Sequence, residues 1–157
     1  MIQVYFVCGF IGSGKSTLSN NLASEHNGFI FSPDEWMIPL FGEHMEREVF
    51  DRRLNTLREL FDRSALRMVE LGVPVIFDYG FWSKREREQA VAWAQSHQLD
   101  FEFLYLDVGY EVCRERALLR NTKESVTCYQ MSDEMLELFW SQFEPPVNEP
   151  YIIPYQG

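Results

Sequence analysis

No apolar run in these 157 residues approaches the roughly 18 to 20 residues that a bilayer span requires, so no membrane partner is expected. Cysteine is scarce and odd in number. Cys8, Cys113 and Cys128 form neither a disulfide framework nor a Cys-x-x-Cys metal pair, which points to a reducing, cytoplasmic setting. His26, His44 and His97 lack metal-ligand spacing and read as ordinary surface or core residues. Positive charge is in short supply: 14 Lys and Arg stand against 24 Asp and Glu, a net charge of −10 at pH 7. Such a surface repels nucleic acid, whose affinity rests on clustered Lys and Arg, and it suits plain solubility or a preference for neutral or cationic small molecules. Linkers and internal repeats are also absent, so residues 1–157 are expected to form one domain with a real core. The apolar opening has no basic residues ahead of it and reads as a core strand, not a signal segment.

What is present starts at Val4-Tyr5-Phe6-Val7-Cys8, a β-rich run that leads straight into Gly9-Phe10-Ile11-Gly12-Ser13-Gly14-Lys15-Ser16-Thr17. Helix-compatible sequence with Leu18, Leu22 and Ala23 follows. Strand, Gly-x4-Gly-Lys-Ser loop and helix together are the context of a phosphate-binding P-loop. Gly9, Gly12 and Gly14 are expected to give the backbone positive φ and bring its N–H groups close to a polyphosphate at the start of the helix. Lys15 then reaches the β- and γ-phosphates, and the Ser16 hydroxyl suits Mg²⁺. The nine residues Gly9 to Thr17 are thus the expected ATP-binding loop.

Further along, Asn27-Gly28 reads as a helix stop and Phe29-Ile30-Phe31 as a short buried strand, ended by Ser32-Pro33 so that Asp34 leaves the strand's C-terminal end. In open parallel sheets those ends form the ligand crevice. Phe50, Leu54, Leu57, Phe61, Ala65 and Met68 mark one face of a long helix over 46–71, stopped at Gly72, with Arg52, Arg53, Glu59, Arg63, Arg67 and Glu70 on its solvated face. Pro74 to Asp78 has the form of a strand whose closing acid holds Mg²⁺; Asp107, closing the strand over 101–106, competes for that role. Ser83 to Glu86 is a capping box that opens a helix through Trp93, with Arg85 and Arg87 on its first turns, facing solvent or the crevice. Arg116 and Arg120 share a helix face and run into a polar stretch, Asn121 to Gln130, which suits a lid over 114–131 closing on phosphates, or else a basic surface stripe in an acidic protein. Ser132-Asp133-Glu134 caps a last helix through Phe143, and a final strand is expected at Tyr151-Ile152-Ile153. The alternation predicts a three-layer α/β/α sandwich around a parallel sheet of about five strands. Trp36, Phe41, Phe81 and Trp82 are core aromatics or the lining of a pocket.

Taken whole, the chain resembles small P-loop kinases of the nucleoside-kinase type, in the group of zeta-toxin-like, chloramphenicol-phosphotransferase-like and polynucleotide-kinase-like enzymes. The resemblance implies an Asp base on the acceptor hydroxyl at Asp34, a metal-assisting Asp at Asp78, and an Arg-x3-Arg lid element at Arg116 and Arg120. It implies ATP and Mg²⁺ as cofactors and transfer to a small-molecule hydroxyl acceptor. A polynucleotide 5′-hydroxyl kinase and a nucleotide-switched regulatory ATPase are the alternatives. Tyr79-Gly80-Phe81-Trp82 departs from the polar segment common in polynucleotide kinases, and Asn121-Thr122-Lys123-Glu124 does not match the base-reading motif of GTPases.

Overall fold

The computed structural model describes residues 1–121 and 130–156. Its elements run β1 (Val4–Cys8), α1 (Lys15–His26), β2 (Phe29–Phe31), α2 (Pro33–Phe41), α3 (Arg47–Glu70), β3 (Val75–Gly80), α4 (Lys84–Ser96), β4 (Phe101–Leu106), α5 (Tyr110–Arg120), α6 (Asp133–Gln142) and β5 (Ile152–Tyr155). The strands form one five-stranded sheet in the order β2-β3-β1-β4-β5, and every pairing is parallel. Parallel neighbours need crossovers, and helices supply them, so both faces of the central strands are covered.

Alternation along the strands builds the two faces. Val4, Phe6, Val75, Phe77 and Phe103 meet Leu57, Phe61 and Ala65 of α3 and Ala94 of α4. Tyr5, Val7, Ile76, Leu104 and Leu106 point the other way, onto Leu18 and Leu22 of α1. This is the expected three-layer sandwich.

Several local expectations change. Pro33 does not merely end β2: with Ser32 as N-cap it occupies the first turn of α2, where its fixed φ is already helical and its missing N–H is not needed. β2 is an edge strand instead of a buried one, with Phe29 exposed and only Phe31 fully buried. The stop after α1 falls on Asn27, left-handed at φ 53; Gly28 is demanded by space, because a Cβ there would press on Pro74 O and Ile76 Cδ1. β5 begins after Tyr151, which is itself left-handed at φ 71. Arg87 faces neither solvent nor the crevice. It is 1% exposed, gives two hydrogen bonds to Glu149 at 2.9 and 2.7 Å and a third to the Phe81 carbonyl, and so ties α4 to the segment before β5. Arg85 stays exposed, as expected. Ser83 caps α4 as expected: its Oγ accepts from Glu86 N at 3.1 Å, and it also donates to Glu86 Oε1 at 3.3 Å. Of the stretch read as a lid, residues 122–129 lie outside the described residues.

Candidate active site

The phosphate loop is set by what surrounds it. Gly12 and Gly14 have φ of 79° and 100°, a left-handed backbone that glycine adopts without strain, and a Cβ at Gly12 would collide with the Cys113 carbonyl of α5. Gly9 does not share that conformation. Its need for glycine is steric, since a Cβ there would run into the Ser13 side chain. Phe10 is buried at the hub of an aromatic cluster, with ring centroids 5.0 Å from Trp140, 5.3 Å from Trp82 and 5.8 Å from Phe143. Its side chain therefore anchors the loop, and its carbonyl accepts from Lys15 Nζ at 3.3 Å and from Ser13 N at 3.1 Å.

Above the loop, at the C-terminal ends of the strands, lies a cavity of about 940 Å³. Ile11, Lys15, Ser16, Asp34, Asp78 and Arg120 all line it. Gly9, Phe10 and Ser13 are buried behind the wall, while Thr17 is exposed outside the lining. Asp34 sits in the first turn of α2 and opens onto the cavity, yet the walls displace enough water to push its carboxyl above the ordinary range. Lys15, Arg120 and Arg58 oppose that rise, and Asp78 adds to it. Asp78, half-buried in β3, is also raised by burial, with the Lys15 ammonium holding it down. Two carboxylates and one lysine thus line the same cavity, with both carboxyls shifted upward and the lysine opposing the shift.

Asp107 is exposed, accepts from Tyr105 OH at 3.4 Å, and does not line the cavity. Arg120 has a buried Nε with no partner among the described residues, whereas Arg116 is exposed and reaches the carbonyls of Gly12 and Ser13 at 3.4 and 3.5 Å. The two arginines share a helix face but serve different places. Trp82 lines the cavity and Phe81 belongs to the core; Trp36 and Phe41 are exposed outside it.

One residue was not anticipated. Arg58 lines the cavity, stacks over Tyr79 at 4.8 Å from the ring centroid, and reaches Glu86 at 3.6 Å. The signal was available: Arg58 is four residues after Leu54 and three before Phe61, a charge on the apolar stripe of α3.

The donors suit a hard cation. Magnesium uses one or two carboxylates, hydroxyls and substrate phosphates instead of a protein cage, and the Ser16 hydroxyl and Asp78 carboxylate in one cavity are donors of that kind. Among the described residues there is no cluster of three or more His, Cys, Asp and Glu side chains of the sort a structural metal needs.

Solved structures with this fold include Kti12 from Chaetomium thermophilum in complex with ADP-AlF3, at a TM-score of 0.73 and 16% identity over 98% of this chain and 88% of that one. The APS kinase CysC of Mycobacterium tuberculosis, in complex with AMPPNP and APS, matches at a TM-score of 0.66 and 15% identity over 98% and 88%. A chain of the Pnkp1/Rnl/Hen1 RNA repair complex matches at 0.71 and 17% over 90% of this chain and 43% of its own. No curated protein matches the sequence. The fold is therefore that of a nucleotide-binding P-loop kinase, and since residues 4–146 match its family model, the chain belongs to the AAA_33 family of AAA domains.

Proposed function

We propose that this protein is a kinase that transfers the γ-phosphoryl group of ATP to a hydroxyl of a small molecule. The observation that carries the reading is the convergence of Lys15, Ser16, Asp34, Asp78 and Arg120 on one cavity. The backbone N–H groups of the phosphate loop and the start of α1 bind the phosphates, and Lys15 exchanges its bond to the Phe10 carbonyl for the β- and γ-phosphates. Asp34 orients the acceptor hydroxyl and takes its proton as the new O–P bond forms and the bond from the γ-phosphorus to the bridging oxygen breaks to release ADP; a carboxyl raised by burial is a better base than a solvated one. Arg120 neutralises charge on the transferring group. Ser16 and Asp78 would hold Mg²⁺, which when bound neutralises phosphate charge.

The experiment compares ATP consumption with and without a panel of hydroxylated small molecules, for the wild type and for Lys15→Ala. Acceptor-dependent turnover that vanishes in a folded Lys15→Ala protein is expected. Hydrolysis indifferent to every acceptor would favour a regulatory ATPase instead. Similarity to a chain of an RNA repair complex keeps a polynucleotide 5′-hydroxyl kinase as the second reading. Against it stands the cavity itself, whose basic residues are four, Lys15, Arg47, Arg58 and Arg120, among five acids, Asp34, Glu35, Asp78, Glu43 and Glu86.

A further inference from the structure

Beside the phosphate-site residues, the large cavity has an apolar side at Met45, Phe50, Leu54, Trp82, Met131 and Phe139, with a few neutral polar residues such as Ser83 and Gln142 elsewhere in its lining. The six apolar residues rest half-buried on the core cluster. That apolar side cannot replace the hydrogen bonds that a polyol or a nucleic-acid strand sheds on entering, and polar groups left unpaired against it weaken binding. The wall favours an apolar body, and unbranched methionines let it fit more than one shape.

The charge around this wall has a sign. Glu35 and Glu43 line the same cavity and make no salt bridge among the described residues; Glu43 only accepts from Gln130 N at 3.0 Å. The arginines on this side are already paired, Arg47 with Asp51 at 3.1 Å and Arg58 with Glu86 at 3.6 Å. Lys15 and Arg120 are committed to ATP if the kinase reading holds. The charge left to meet an acceptor is negative, and the aromatic rings of Trp82 and Phe139 in the lining attract a cation as well.

We infer that the acceptor is a hydrophobic amino alcohol, a hydroxyl carried on an apolar body whose protonated amine faces Glu35 and Glu43. The inference rests on the kinase reading for the word acceptor, and on the cavity wall for the chemistry.

Its test is calorimetric titration of the full-length protein, bound to a non-hydrolysable ATP analogue, with phenylethanolamine, phenylethanol, mandelate, glucose and a 5′-hydroxyl oligonucleotide, beside ATP turnover with each. Phenylethanolamine is expected to bind most tightly. In a Glu35→Gln/Glu43→Gln double variant its advantage over phenylethanol should shrink by about 5–10-fold, the scale of two exposed charges. Equal binding of phenylethanolamine and phenylethanol, preference for mandelate, glucose or the oligonucleotide, or an unchanged ratio in the double variant overturns the inference. Binding with the expected preference but no phosphoryl transfer supports the ligand chemistry and sinks the kinase reading; transfer to glucose does the reverse.

Discussion

The indole Nε1 of Trp82 donates to the Gly9 carbonyl at 3.2 Å, so the segment leaving β3 holds the first residue of the phosphate loop. The Gly9 N–H in turn donates to the Gly80 carbonyl at 3.0 Å. Between these bonds the pairing of β1 with β3 slips by one residue, from Val7 opposite Asp78 to Cys8 opposite Gly80, leaving Tyr79 as the bulged residue. A bulge beside a site re-aims its side chains, and here it separates Asp78, in the cavity with Lys15, from the turn that carries Trp82.

Trp82→Phe should keep the aromatic contact with Phe10 and lose the bond to Gly9. One hydrogen bond is worth about 1 kcal/mol, so ATP affinity is expected to fall about fivefold with the fold intact. Calorimetry with ATP checks this; unchanged affinity would mean that the indole fills space and does not hold the loop.

Glu149→Gln leaves the buried Arg87 without its charge partner, and a loss of about 3–5 kcal/mol in unfolding free energy is expected. The Arg87 hydrogen bonds hold the Glu149 carboxyl below its ordinary value of 4.5. A depressed folded-state value contributes stability above the unfolded value that is lost as pH falls through the folded one. Denaturant titrations at pH 7 and in the acid range should therefore show the gap between wild type and variant closing as pH drops below the glutamate range.

Asp62 has the opposite sign. Burial between α3 and α4 pushes its carboxyl up to about 6, with Arg58 only partly opposing. A raised folded-state value contributes stability below the unfolded value of 3.8 and loses it as pH rises through about 6. Asp62→Asn should raise the melting temperature at pH 8 more than at pH 4. An equal change at both would show that the residue does not titrate in this window.

Much of this was legible in the chain. The phosphate loop announced itself because close approach to an anion demands glycine at fixed places, and the long α3 because its apolar spacing is periodic. What escaped depended on distant partners. Nothing near Arg87 in sequence points to Glu149, 62 residues away, so its burial could not be read from a charged helix turn. α2 was hidden for another reason: proline ends a strand and opens a helix with the same φ, and Ser32-Pro33 does both. Asp34 lines the cavity, but from a helix turn and not from a loop.

Asp34→Asn should keep ATP binding and lose phosphoryl transfer by about 10²–10⁴-fold, the usual range for removing a positioned base. Because burial and Asp78 raise its carboxyl, wild-type turnover is expected to fall with decreasing pH through a value above the ordinary 3.8, and the variant to lack that limb. Loss of ATP affinity with turnover intact would put Asp34 in the nucleotide site.

Arg116 and Arg120 separate under substitution because one touches the loop from outside and the other faces the cavity. Arg116 Nη1 lies at hydrogen-bond range from two P-loop carbonyls on an exposed surface, so Arg116→Ala removes little more than a screened charge. A change in ATP affinity of about 2–5-fold is expected, with turnover at saturation unaltered. Arg120 interacts with Asp34 across the cavity and keeps its Nε buried without a partner among the described residues, which in the proposed kinase leaves a donor for the transferring group. Arg120→Ala should lower kcat by about 10²–10³-fold while ATP binding falls much less, as for the loss of one preorganised donor. Arg120→Lys keeps the charge and loses the planar fork, so it should recover only part of the rate. Steady-state kinetics of the three variants at saturating ATP decides the matter. If Arg116→Ala carries the larger loss in kcat, the charge on the transferring group is met from outside the loop, and the assignment of Arg120 fails.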